Sequence, residues 1–195
     1  MARPLEFCRH KALQAAIDVF WSKGYEAASL EDLVTAMEIG RQSLYNTYGD
    51  KRGLFLQALE LQIDSHAESI RQHFTADELT KVLFADWFKI LCQLGEKSKR
   101  RGCLLINTSM ELAGRDQEIA DLMVRSQRNQ EEIFYQALER GVSRGELSAS
   151  LDCRTIARYL VGCTAGMIVL AKADPNSPNL EAMATVALQA LDPTG

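Results

Sequence analysis

At 195 residues, 47% hydrophobic and 25% charged, the chain has the make-up of an ordinary globular protein, and this composition excludes a disordered one. A net charge of −4 excludes a general polyanion binder, which would be basic overall, so any nucleic-acid contact has to draw on local positive charge. Residues 1–53 hold seven cations (Arg3, Arg9, Lys11, Lys23, Arg41, Lys51, Arg52) against seven acids (Glu6, Asp18, Glu26, Glu31, Asp32, Glu38, Asp50), so the remainder carries the whole −4.

Four prolines and twelve glycines are few, and the segments between them are rich in Ala, Leu, Glu, Gln and Arg, which predicts an all-α fold. A first helix is expected from about Leu5 to Lys23: Ala12, Leu13, Ala16, Ile17 and Phe20 keep a helical period, and Gly24 is a C-terminal stop. Ser29 then stands before Leu30-Glu31-Asp32-Leu33. A hydroxyl at the N-cap and two acids in the first turn suit the positive end of a short second helix, ending near Met37. Glu38-Ile39-Gly40 has the length and the glycine of a tight turn, and a third helix, Arg41 to Tyr48, follows at once. After the break at Gly49, Asp50 caps a long fourth helix from Lys51 to about Phe74, and Gly53 in its first turn predicts a loose start. Further helices are expected over 77–97, 103–113, 116–143, 152–172 and 179–191, about nine in all, with no strand-like alternation and no internal repeat.

A major groove admits one α-helix, so a DNA reader needs a short helix held outward by a small apolar core. Leu30, Leu33, Val34, Ile39 and Leu44 form that core with Ile17, Phe20 and Tyr25, and Arg41, Gln42, Ser43, Asn46 and Thr47 face outward to reach base edges. Tyr45, Tyr48 and Lys51 flank them as phosphate contacts, and the N-termini of the second and fourth helices aim backbone N–H groups at phosphates. By spacing alone, three helices of a plain bundle with a polar surface fit nearly as well.

The residues themselves are more specific. Gly24-Tyr25-Glu26-Ala27-Ala28-Ser29-Leu30, Ile39-Gly40-Arg41-Gln42-Ser43-Leu44-Tyr45 and Tyr48-Gly49-Asp50-Lys51 resemble the DNA-binding domain of the TetR/AcrR family, in detail over about the first 55 residues. The resemblance implies a helix-turn-helix DNA-binding domain over residues 1–50 and a helical effector-binding and dimerisation bundle over 51–195. It implies contact roles for Gln42, Ser43, Tyr45, Asn46, Thr47 and Lys51, with Ser29 at the start of the second helix. Tyr48 stands where most relatives have Phe. A regulator of this kind, most often a repressor, binds a palindromic double-stranded DNA operator as a homodimer and is released by a small-molecule effector.

Tyr159 to Ala171 is apolar on nearly every side, so water cannot be its surroundings. Gly162, Cys163, Ala165 and Gly166 allow close approach, and the resemblance implies that 152–172 and 179–191 pair with the same helices of a second subunit. At thirteen residues that apolar run is too short to span a bilayer, and Met1 to His10 has no signal-peptide core, so a cytoplasmic location is expected. Phe84, Trp87, Phe88, Leu91, Met110, Phe134 and Tyr135 are candidate effector contacts, although aromatic residues at helical spacing are more often plain core.

Five scattered cysteines without a CxxC pair fit free thiols in a reducing compartment. Cys103 follows the basic run Lys97 to Arg101 and opens a helix, so neighbouring cations and the dipole are expected to lower its pKa and make it reactive; the alternative is a small buried apolar residue. Gly102-Cys103-Leu104, with Glu111 downstream, resembles a TetR subgroup that includes the repressor of N-ethylmaleimide reductase, which implies a redox-sensing cysteine with Lys172 as its partner. His66 and His73 lack a third ligand at metal spacing, and no cofactor is expected. The competing readings are an α-helical enzyme using Cys103 as nucleophile and a helical scaffold that binds partners through Tyr159–Ala171.

Overall fold

The computed structural model describes residues 3–192, with side chains from Arg9 onward; the Cys8 thiol lies outside the described residues. Among them are ten helices and no strand: α1 (Arg3–Lys23), α2 (Leu30–Met37), α3 (Arg41–Tyr48), α4 (Lys51–Phe74), α5 (Thr80–Gln93), α6 (Glu96–Arg101), α7 (Leu104–Leu112), α8 (Gln117–Ser143), α9 (Cys153–Ala173) and α10 (Asn179–Gln189). The expected helix over 77–97 is two. It starts late because Leu79 offers no side-chain cap; the Thr80 N–H is satisfied by Glu146 Oε2 at 2.7 Å. It breaks at Leu94-Gly95, after which α6 carries the basic run.

The chain packs as two compact units, the first formed by residues up to Ser65 with Cys103–Val124, the second by His66–Gly102 with the rest. Packing therefore does not divide at residue 50: α4 passes through both units, and α7 belongs with the N-terminal helices.

In the first unit Ala16, Ile17 and Phe20 of α1 meet Leu33, Leu44, Leu54, Phe55 and Leu59, and Leu104, Leu105 and Leu112 of α7 join them. Phe20 stands edge-on to Phe55 at 4.7 Å between ring centroids, and burying each ring contributes about 1.5–3 kcal/mol. Leu30, Val34, Ile39 and Tyr25 pack around this centre half-buried.

The second unit is centred on Phe74, Phe84, Phe88 and Phe134, with Leu138, Ala157, Leu160, Met167 and Leu180 around them. Asp152 caps α9 through the Thr155 N–H at 3.1 Å. As a whole helix α9 is longer than its apolar run and is long and apolar enough to cross a membrane. Its buried stripe, Ala157, Leu160, Thr164, Met167 and Ala171, makes it a core helix of this unit instead.

Candidate nucleic-acid interface

Helix α2 begins with a closed capping box. Ser29 Oγ accepts from the Asp32 N–H at 3.1 Å and Asp32 Oδ2 accepts from the Ser29 N–H at 3.0 Å. Lys23 pairs with the other carboxylate oxygen at 2.6 Å, and the lysine and Ser29 together hold the Asp32 carboxyl down at about 2. Residues 38–40 make the expected tight turn to α3, and within it Glu38 takes the left-handed conformation (φ 56°), with its N–H directed at the Val34 and Thr35 carbonyls. Gly40 is extended and is the N-cap of α3.

Along α3 only Leu44 and Tyr48, one turn apart, point inward, while Arg41, Gln42, Ser43, Tyr45, Asn46 and Thr47 are all exposed. This is the outward polar face that the residue pattern predicted. Tyr48 is 6% exposed and packs its ring into the first unit's core, with Arg9 5.9 Å from the ring centre, so the ring points inward rather than outward with its neighbours.

Several exposed groups are held in place already. Gln42 Nε2 donates to Asn46 Oδ1 at 2.9 Å, and Arg41 pairs with Glu31 at 2.7 Å. Lys51 donates to the Glu26 carbonyl at 3.2 Å with its ammonium 4.6 Å from the Tyr25 ring centre, an arrangement that carries the charge without a carboxylate partner there. The helix N-termini are less open than expected: the Asp32 N–H is used by Ser29, and the Gly53 N–H by Asp50 Oδ1 at 2.7 Å.

Local reading missed a set of residues that hold this unit from far along the chain. Glu111 of α7 accepts from the Tyr25 and Glu26 N–H groups at 3.2 and 3.0 Å. Arg52 pairs with Asp116 at 2.8 Å and Glu118 at 2.7 Å, and Arg115 with Glu26 at 3.2 Å. Partners 64 or more residues apart leave no trace in a local pattern.

Comparison with known proteins decides the family. Residues 12–58 match the description "Bacterial regulatory proteins, tetR family", and residues 80–187 match "Tetracyclin repressor-like, C-terminal domain". The chain belongs to the TetR family. It is 33% identical, over 98% of its length and 100% of the relative's, to the uncharacterized HTH-type transcriptional regulator YezE of Bacillus subtilis. It is 32% identical to the HTH-type transcriptional repressor ComR of Escherichia coli, over 87% of this chain and 82% of that one. Among solved structures, a cysteine-substituted form of the TetR family regulator CifR in complex with 26-base-pair operator DNA is 30% identical, with a TM-score of 0.73 over 92% of this chain and 93% of that one. The reduced form of E. coli NemR has a TM-score of 0.85 over 96% of this chain and 98% of that one at 18% identity, a likeness of fold. The TetR-family match makes this a transcriptional regulator rather than an enzyme.

The effector candidates of this TetR regulator divide. Phe84, Phe88 and Phe134 are wholly buried in the second unit's core; Trp87 and Leu91 pack half-buried against it, Trp87 donating to Thr164 Oγ1 at 3.1 Å. Tyr135 is stacked under the Arg154 guanidinium at 3.6 Å. Met110 is a correction: it is 80% exposed and lies in the first unit, because α7 buries Leu104, Leu105 and Leu112 on its other side.

Cys103 is the second correction. It is the N-cap of α7, as expected, but burial pushes its thiol pKa up, against the weaker lowering by the Ile106 and Leu105 N–H groups. Two cations of the basic run have partners elsewhere: Lys99 is buried and donates to the Pro175 carbonyl at 2.8 Å, and Arg100 pairs with Glu96. Lys172 is exposed and belongs to the second unit, Cys103 to the first. Burial likewise lowers the His66 pKa, and no metal-holding cluster occurs among the described residues.

Proposed function

We propose that this regulator is a dimeric repressor that reads a palindromic operator with α3 and is released by a small-molecule effector. The observation that carries the reading is the α3 face itself, a two-turn helix with six polar or amphipathic side chains outward and only Leu44 and Tyr48 inward. Gln42, Ser43, Asn46 and Thr47 are the base-edge contacts, with Tyr45 meeting phosphate beside them. Arg41 exchanges Glu31 for DNA at little cost, since an exposed pair of this kind is worth at most about 1 kcal/mol. Lys51 and the Ser29 region meet the backbone. The name of ComR as a repressor and the operator DNA bound by CifR support this direction for the present chain.

In this reading residues 1–50 are the DNA-reading part and 51–195 the effector-binding and dimerisation part. The second copy docks on α9 and α10. Tyr159, Gly162, Val169 and Leu170 are exposed along α9, away from its buried stripe, and Val186 of α10 is 55% exposed. The effector is taken by the aromatic unit around Trp87 and Phe134, with modification of Cys103 as the alternative trigger for release.

A mobility-shift assay with the protein's own upstream DNA tests this. Binding should weaken at every salt concentration in Tyr45→Ala, and Lys51→Ala should reduce the salt dependence by about one phosphate contact. No binding to any upstream fragment would sink the reading.

A further inference from the structure

The region between Lys23 and Leu30 is the entry to the reader: it carries Tyr25, which packs on Phe55, and Glu26, whose carbonyl receives Lys51 and whose carboxylate receives Arg115. Nothing within residues 24–28 holds its backbone by a side-chain bond. Its support comes from α7, where the Glu111 carboxylate spans two consecutive N–H groups, Tyr25 at 3.2 Å and Glu26 at 3.0 Å. The fit is close enough that a Cβ on Gly24, itself at φ +80°, would stand 2.9 Å from Glu111 Oε2. An ionised carboxylate receiving two backbone N–H groups is a strong, directional clamp.

We infer that Glu111 is a positioning residue for DNA binding: through the Tyr25 and Glu26 N–H groups it fixes the α1–α2 turn, and with it the register of Ser29, α2 and Lys51. Glu111 touches no DNA itself. It acts from a helix that lies on the far side of Cys103 in the chain, within the segment Cys103–Val124 that joins the N-terminal helices while both of its ends continue into the other unit. The inference rests on the α3-reader proposal above.

The test is operator affinity of the full-length protein, measured by fluorescence anisotropy well below the melting temperature, for wild type, Glu111→Ala and Glu111→Gln. Glu111→Gln keeps the shape, but turns one of two acceptors into a donor facing an N–H group. The expected result is a Kd raised about tenfold, or 1.4 kcal/mol, in each folded variant. Amide exchange at Tyr25 and Glu26 should quicken in Glu111→Gln. A purely structural role would lower the melting temperature but leave the Kd and the active fraction of folded protein unchanged, and that outcome overturns the inference. If Glu111→Ala does not fold, Glu111→Gln alone decides. Wild-type protein that binds no operator would instead overturn the reader proposal on which this one stands.

Discussion

At the scale of single residues, the strongest local constraint is at Asp32, where three hydrogen bonds meet one carboxylate. Lys23 and both the hydroxyl and the N–H of Ser29 all favour its ionised form, so its folded pKa, about 2, lies below the ordinary 3.8. The stabilisation this represents is complete above the ordinary value and is lost as pH falls through the folded one. The difference in melting temperature between wild type and Asp32→Asn should accordingly be constant near neutral pH and shrink as pH drops from about 4 towards 2. A carbon-detected titration of the Asp32 carboxyl should place its midpoint near 2; a midpoint near 4 would show that the capping box does not hold the carboxylate as described. Glu38 is the contrasting case, a non-glycine residue at φ 56°, where an L residue costs about 1–2 kcal/mol. Placing the strain one turn from the reading helix lets Gly40 stay extended and start α3 without delay.

At the scale of elements, the start of α4 reverses an expectation drawn from propensity. Glycine in a first helical turn suggests fraying, yet a Cβ at Gly53 would stand 2.1 Å from the Tyr48 carbonyl oxygen. The turn between α3 and α4 is closed over this hydrogen-only side chain, with Asp50 bound to the Gly53 N–H. Propensity alone would make Gly53→Ala stabilising by about 1 kcal/mol, whereas the clash with backbone predicts a loss of about 1–3 kcal/mol. Thermal melting gives the sign directly, and operator affinity should fall with it, because the backbone that must move is the end of α3. What was legible in the sequence follows the same division. The caps at Ser29 and Asp50, the helix stop at Gly24 and the inward Leu44 are local, and side-chain chemistry within a few residues specifies them. The left-handed Glu38, the break before α6 and the exposure of Met110 depend on what packs from elsewhere. Cys103 shows why: burial, which raises its thiol pKa, depends on distant packing, and two of its basic neighbours, Lys99 and Arg100, turn to Pro175 and Glu96.

At the scale of the whole molecule, the proposed function depends on two readers acting together. A single two-turn helix with a handful of polar groups gives weak and unspecific binding, and joining two such readers raises affinity by about 10²–10⁴-fold without any new contact. The exposed Tyr159, Val169 and Leu170 of α9 and Val186 of α10 are where this coupling can be removed without touching α3. Val169 and Val186 are 48% and 55% exposed in the single chain, so a carboxylate at either position is tolerated by the isolated fold but is buried against an apolar partner in a dimer. The double substitution Val169→Glu with Val186→Glu should therefore give a folded monomer in sedimentation velocity, with wild-type helicity by circular dichroism. Its operator affinity should fall by about a hundredfold or more, while a half-site fragment should bind the variant and wild-type chains alike. A monomer that still holds the full operator at wild-type affinity would show that α9 and α10 are not what joins the readers, and that these exposed apolar residues serve another partner.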